Sequence, residues 1–171
     1  MNTRGAHYKT LSKLVELSPR RYREDHGLGF DDFEVGDVYE HRPGRTVTEA
    51  DNMWMSLICM NDHPLHINSD FAKDTEFGAV LVSSLVTFSI VGGMSLASTS
   101  AKGIANLGWD KVRLLAPVFV GDTLYAESEV VAKRRSESRC GQGVVTVRTK
   151  GMKACGEVFL TCERSFLISL S

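Results

Sequence analysis

The stretch that decides the fold runs Gly78-Ala79-Val80-Leu81-Val82-Ser83-Ser84-Leu85-Val86-Thr87-Phe88-Ser89-Ile90-Val91-Gly92-Gly93-Met94-Ser95-Leu96-Ala97. It carries no charge and is too long for a strand, yet its serines and paired glycines interrupt it too often for a membrane span of roughly 20 apolar residues. Val80, Leu81, Leu85, Phe88 and Val91 mark one face, whereas Ser84, Ser89, Gly92, Gly93 and Ala97 are small. The pattern predicts a largely buried central helix reaching to about Ser100. Each glycine costs such a helix on the order of 1 kcal/mol relative to alanine, which is tolerable where the helix backbone approaches a sheet closely.

C-terminal to this helix the period changes from helical to alternating. Val112, Leu114, Ala116, Val118 and Val120 occupy one parity of a run that ends at Gly121-Asp122. Leu124, Ala126, Ser128 and Val130 alternate with Tyr125, Glu127 and Glu129, and Val145, Val147 and Thr149 alternate with Thr146, Arg148 and Lys150. Beyond a turn at Cys155-Gly156, Val158, Leu160 and Cys162 oppose Phe159, Thr161 and Glu163. The charged, glycine-bearing segment Arg134 to Gly143 suits a long hairpin tip. One buried helix followed by long antiparallel strands predicts an α+β architecture, a curved antiparallel sheet wrapped around a long central helix.

N-terminal to the helix, Phe33, Val35 and Val38 flank Gly36-Asp37, and a strand or strand pair is expected to end at Pro43-Gly44. Thr48 reads as a helix cap with Glu49 and Asp51 in the first turn, and Ala50, Trp54, Leu57 and Ile58 set the apolar face of a short helix to about Met60. Trp54 and Trp109 are expected in the core or at an interface. Asn61-Asp62-His63-Pro64-Leu65-His66-Ile67-Asn68 reads as an irregular loop dense in polar groups, followed by a helical turn over Phe71 to Thr75. Leu11, Leu14, Val15 and Ser18 recur at helical spacing, so residues 1–29 are expected to form an accessory segment with a short helix, ahead of a domain at 30–171.

Composition bounds what such a domain does. The chain has 171 residues, 43% hydrophobic and 24% charged, which suits one folded domain and excludes wholesale disorder. A net charge of −1 argues against general nucleic-acid binding. Cys59, Cys140, Cys155 and Cys162 form neither a C-x-x-C pair nor a zinc-finger spacing, and no apolar stretch lies within Met1 to Ser18. The expectations are a cytoplasmic location, no membrane association and no metal site.

Three segments in order carry a family resemblance: Arg45-Thr46-Val47-Thr48-Glu49-Ala50-Asp51, Asn61 to Asn68, and Leu114-Leu115-Ala116-Pro117-Val118-Phe119-Val120-Gly121-Asp122-Thr123-Leu124. Over about Phe30 to Ile168 the chain resembles the MaoC-like dehydratases, which include R-specific enoyl-CoA hydratases and mesaconyl-CoA hydratases. Ala105 to Arg113 looks most like the mesaconyl-CoA branch. The resemblance implies a single hotdog fold, a homodimer or higher homo-oligomer, and a coenzyme A thioester bound at a subunit interface. It also implies reversible hydration of a short enoyl-CoA, branched or carboxylated on that branch, with no metal or redox cofactor.

Hydration of an enoyl thioester needs a base for water, an acid for the α-carbon and a donor for the thioester oxygen. The family's Asp-x-Asn-Pro-aliphatic-His motif falls on Asn61, His63, Pro64, Leu65 and His66, with Asn61 in place of the acid. A carboxamide orients water but takes no proton. Two repairs are open: His66 as sole base with Asn61 positioning the water, which we favour, or Asp62 turning its carboxylate into the site. The family's oxyanion donor, a backbone N–H where the central helix begins, corresponds to Ser83-Ser84. His63 is a candidate for the acyl end and Arg113 for coenzyme A phosphate, although both suit ordinary surface positions. A hotdog thioesterase is a rival, weakened because no Asp or Glu lies between Gly78 and Ser100. A non-catalytic acyl-CoA-binding hotdog protein is another, motivated by the missing Asp.

Overall fold

The computed structural model describes residues 9–170, so the first part of the accessory segment lies outside the described residues. A hairpin, β1 (Ser12–Ser18) and β2 (Arg21–His26), precedes a five-stranded antiparallel sheet. The sheet comprises β3 (Val38–Thr46), β4 (Gly103–Leu114), β5 (Thr123–Arg135), β6 (Gln142–Lys153) and β7 (Val158–Ser169), in the order β3-β5-β6-β7-β4. Between β3 and β4 lie α1 (Glu49–Ile58), the short turns α2 (Pro64–Ile67) and α3 (Ser69–Ala72), and the central helix α4 (Ser84–Ser95).

The expected alternation appears directly in β5, where Leu124, Ala126, Ser128 and Val130 are fully buried and Tyr125, Glu127 and Glu129 are half-exposed. Two hydrophobic clusters fill the sheet. In one, Val86 and Val91 of α4 pack with Val118, Leu124, Ala126, Phe159, Leu160 and Cys162. In the other, Leu28, Phe30 and Phe33 pack with Val130, Val145, Val147, Phe166 and Ile168. Phe30 lies in a single 3-10 turn, Phe30–Asp32.

A buried polar belt accompanies the two clusters. His41 Nε2 meets Ser128 Oγ at 2.8 Å, His41 Nδ1 meets Ser98 Oγ at 2.9 Å, and Ser128 Oγ meets Thr149 Oγ1 at 2.7 Å. Arg164 donates from Nη2 to Thr99 Oγ1 at 2.5 Å, and Thr99 Oγ1 donates to Ser95 O at 2.5 Å. Burial of His41, Ser98, Thr99, Ser128 and Thr149 is tolerated because each has a hydrogen-bond partner.

Several expectations are corrected. The segment expected as a helix around Leu11 to Ser18 is β1: it is too short for a stable isolated helix, and Pro19-Arg20 turns it back onto β2, with Arg20 at φ 63°. The hairpin is rooted by Lys102 on Asp25 at 2.9 Å and by Gly27, at φ 90°. A Cβ at Gly27 would stand 2.7 Å from that of Ala101. The central helix is shorter than expected at both ends: it starts at Ser84, so Val80 and Leu81 precede it, and stops at Ser95, and turns over residues 96–102 carry Ser98 and Thr99 into the belt. Gly92 and Gly93 do not approach the sheet, since a Cβ at either meets nothing within 4 Å. The close approach is made from the strand side, where a Cβ at Gly151 would stand 2.8 Å from Val91 Cγ2.

The α1 face is also inverted. Thr48 caps the helix as expected, but Trp54 and Ile58 are 70% and 71% exposed, whereas Asn52 and Ser56 are buried. Trp109 is likewise 46% exposed. β3 continues through Pro43-Gly44 to Thr46, with a register shift between His41 and Arg45. β4 begins at Gly103 rather than near Val112 and ends at Leu114, leaving residues 115–122 to cross beneath the helix entrance, where Val82 N–H bonds to Val118 O at 2.8 Å. The loop expected over Asn61 to Asn68 contains α2, because Pro64 suits a first helical position and His63 caps it.

The belt has a pH signature. Burial, reinforced by the nearby Arg164 and Arg42 cations, lowers the His41 pKa from 6.5 to about 4. The unfolded chain gains its proton on His41 near 6.5 and the folded chain only near 4, so this group's contribution to stability falls with pH through that window, by about 3 kcal/mol in all. Urea unfolding between pH 7 and pH 4 is expected to show that loss, and His41→Gln to flatten the slope.

Candidate active site

The site is assembled around one buried amide. Thr48 and Asp51 form a reciprocal cap, with Thr48 N–H on Asp51 Oδ2 at 2.9 Å and Asp51 N–H on Thr48 Oγ1 at 3.2 Å. Burial alone would raise the Asp51 pKa, but the Thr48 bonds and the Arg45 guanidinium hold it below its ordinary range. This cap fixes the start of α1 and so the placement of Asn52, which is 1% exposed. Asn52 Nδ2 donates to His66 O at 2.8 Å and, more weakly, to Leu81 O at 3.4 Å, while its Oδ1 accepts from Ser83 N–H at 2.9 Å. One side chain thereby joins α1, the histidine turn and the foot of α4.

His66 lies in the last turn of α2, and its Nδ1 bonds to Leu81 O at 2.8 Å. A carbonyl only accepts, so Nδ1 is the protonated nitrogen and Nε2 keeps its lone pair. The backbone reinforces this, with Leu81 N–H on Leu65 O at 3.1 Å. Across the cleft, Val86 and Thr87 N–H both turn to Ser83 O and Ser83 N–H is held by Asn52, so Ser84 N–H stands at the first helical position without a bond among the described residues. The unpaired amides of a helix N-terminus favour negative charge.

His66 and Ser84 line the same cleft, about 400 Å³ in volume, with Thr87 as a further polar wall. The other walls are apolar, among them Phe77, Ala116, Pro117, Val118 and Phe159. The remaining expected residues are placed differently. Asn61 is half-buried behind the cleft and donates from Nδ2 to Ser83 Oγ at 3.2 Å. Ser83 is fully buried and its N–H is already used, so Ser84 rather than Ser83 faces the cleft. Asp62 is exposed and makes no side-chain hydrogen bond among the described residues. His63 is exposed, accepts from Leu65 N–H at 3.2 Å and stacks edge-on against Phe71. Arg113 is exposed on β4 and donates to Val112 O at 2.9 Å.

Sequence reasoning missed Asn52, Thr87 and Phe159. Asn52 had one legible mark: Asn52 and Ser56 stand four apart on α1, a polar pair on what became the inner face. Among the described residues no group of three or more His, Cys, Asp or Glu is placed to hold a metal ion, and no helix is long and apolar enough to cross a membrane.

A helix cupped by a five-stranded antiparallel sheet, with a histidine turn facing the helix N-terminus, defines a hotdog domain. The chain belongs to the family described as MaoC like domain, which its residues 32–152 match. It is 34% identical over 142 residues to a mesaconyl-CoA hydratase of Cereibacter sphaeroides, covering 83% of this chain but 41% of that protein. It is 31% identical over 101 residues to the (R)-specific enoyl-CoA hydratase of Aeromonas caviae, covering 59% of this chain and 71% of that one. A Mycobacterium tuberculosis protein described as having a double hotdog fold superposes with a TM-score of 0.78 at 26% identity, over 85% of this chain and 45% of that one. The chain therefore spans about two-fifths of the length of the mesaconyl-CoA hydratase it matches.

Truncating Asn52 strands the Ser83 N–H and the His66 carbonyl together. Asn52→Ala is expected to lower stability by about 2 kcal/mol or more, measured by urea unfolding, because each buried unsatisfied group costs about 1–3 kcal/mol.

Proposed function

We propose that this domain catalyses reversible addition of water across the double bond of a short enoyl-CoA. The observation that carries the proposal is the His66–Leu81 hydrogen bond, which leaves a basic Nε2 in a cleft that also holds Ser84 at the N-terminus of α4. In the proposed reaction the thioester oxygen accepts a hydrogen bond from Ser84 N–H, which draws electron density from the β-carbon. His66 Nε2 takes a proton from water as the water oxygen bonds to the β-carbon. The imidazolium then delivers that proton to the α-carbon, so one catalytic group serves both directions and no electron leaves the substrate. Asn61 acts as a positioning residue through Ser83, and Asp62 takes no part. The scheme asks for no metal or redox cofactor.

The mesaconyl-CoA hydratase match supports a branched or carboxylated acyl group, and the apolar cleft walls suit a short branched chain. Among the described residues no lysine or arginine lines the cleft, so the counter-charge for a second carboxylate falls to His63, whose ring centroid lies 6.0 Å from that of His66, or to a second subunit. Self-association of this kind is supported by β4, an edge strand exposing Leu107, Val112 and Leu114. A long apolar edge of unpaired backbone groups favours pairing with another copy. The thioesterase alternative lacks a carboxylate on α4, whose residues Ser84–Ser95 include none.

With enoyl-CoA and 3-hydroxyacyl-CoA panels assayed in both directions, His66→Ala is expected to lose at least about 100-fold in kcat, the lower range for acid–base catalysis. Asp62→Asn is expected to stay within about twofold. Loss of turnover in folded Asp62→Asn would move the base to Asp62, and release of free thiol would restore the thioesterase. The edge-strand proposal is tested separately: Leu107→Lys is expected to shift the protein towards monomer in light scattering.

A further inference from the structure

The reaction proposed above leaves one charged group without a task. Arg164 is 6% exposed, and its only side-chain hydrogen bond among the described residues is the one to Thr99. Its neighbours are the Phe166 ring, 5.7 Å from the guanidinium carbon, together with Cys162 and His41, and among the described residues no carboxylate is paired with it. Burial lowers its pKa from the ordinary value, and among the described residues only the neighbouring Cys162 thiol opposes the shift. A buried ion without a counter-ion is strongly destabilising, so a guanidinium held this way favours an anion beside it.

A crevice lies beside the guanidinium. Arg164 lines a crevice of about 270 Å³ beyond the C-terminal end of α4, away from His66 and the helix entrance. Leu96, Ile104, Trp109 and Phe166 supply apolar walls, and Ser100 and Asn106 add polar groups. With Nη2 engaged by Thr99, the guanidinium's other donors have no protein acceptor among the described residues, and neither Nε nor Nη1 is among the fully occluded polar atoms. A planar fork of N–H donors matches a carboxylate edge-on. A single cation among apolar walls suits one negative charge on a small apolar body, whereas a phosphate dianion would need further cations.

We propose that this crevice is a binding site for a small organic monocarboxylate, held by Arg164. The site shares no lining residue with the His66 cleft, but Ile104, Asn106 and Trp109 of its wall lie on β4, the strand proposed above to pair with a second copy, so a carboxylate of that copy is the rival occupant.

The chain has two tryptophans, so Trp54→Phe leaves Trp109, at the crevice wall, as the only indole reporter. Sodium butyrate and inorganic phosphate are titrated into this protein at constant ionic strength, with chloride as the balancing anion and light scattering run in parallel. The expected result is a saturable change in Trp109 fluorescence with butyrate, half-saturating at least tenfold lower than with phosphate. The same change is expected to need at least tenfold more butyrate in Arg164→Lys, which keeps the charge but not the fork, and to vanish in Arg164→Met. Absence of a saturable butyrate response, an equal response to phosphate, or an unchanged response in Arg164→Lys would overturn the proposal. No response to butyrate together with dissociation of Arg164→Met would assign the guanidinium instead to a carboxylate of a second copy.

Discussion

The carboxamide of Asn52 faces three chain segments at once: the carbonyl that closes the histidine turn, the carbonyl of Leu81, and the N–H just before α4. An amide is the one uncharged side-chain head that offers donors and an acceptor from a single rigid plane. Buried as it is, every bond it makes carries the full cost of its loss. The histidine, the Leu81 segment that orients its ring and the helix entrance opposite are therefore set relative to one another by hydrogen bonds with little freedom to drift. Catalytic geometry tolerates errors of only a few tenths of an ångström, and this arrangement supplies the rigid support such a site requires.

The helix entrance owes its chemistry to what the bracket consumes. Asn52 takes the N–H of Ser83, and the carbonyl of Ser83 takes those of Val86 and Thr87, so Ser84 is left facing the cleft with its N–H free among the described residues. The other end of α4 is organised by a different constraint. There the concave face of the sheet changes from apolar to polar at His41, Ser128, Thr149 and Arg164, and the chain leaves helix geometry so that Ser98 and Thr99 can meet those groups. Beyond the belt, Leu28, Phe30 and Phe33 take over the burial that a longer helix would have supplied.

Much of this was legible residue by residue. The alternation in β5 to β7 reported their faces because side chains of a strand point alternately to two sides, and a half-buried sheet needs exactly one apolar parity. Thr48 announced the start of α1 as a cap residue followed by Glu49 and Asp51 in the first turn. His66 stood out only because Pro64 and its neighbours matched a known motif. The face of α1 was misread for a physical reason: helical spacing groups Trp54, Leu57 and Ile58 together, but periodicity says which residues share a face and not which face the rest of the fold will cover. The hairpin at Ser12–His26 was misread likewise, since a few apolar residues at helical spacing satisfy a strand just as well when a second strand is present to pair with it.

By itself the sequence determined the helix-then-strands order, the parities of β5 to β7 and the cap of α1, because each rests on local spacing or local stereochemistry, whereas His66 was singled out by a family motif. Tertiary structure alone decided that Asn52 joins the site, that Asp62 faces solvent, that α4 stops at Ser95 and that Arg164 ends buried beside an open crevice. Those outcomes depend on hydrogen-bond partners and packing surfaces brought together from distant parts of the chain, such as Asn52 with Ser83 and Thr99 with Arg164, and neither spacing nor composition encodes which distant groups will meet.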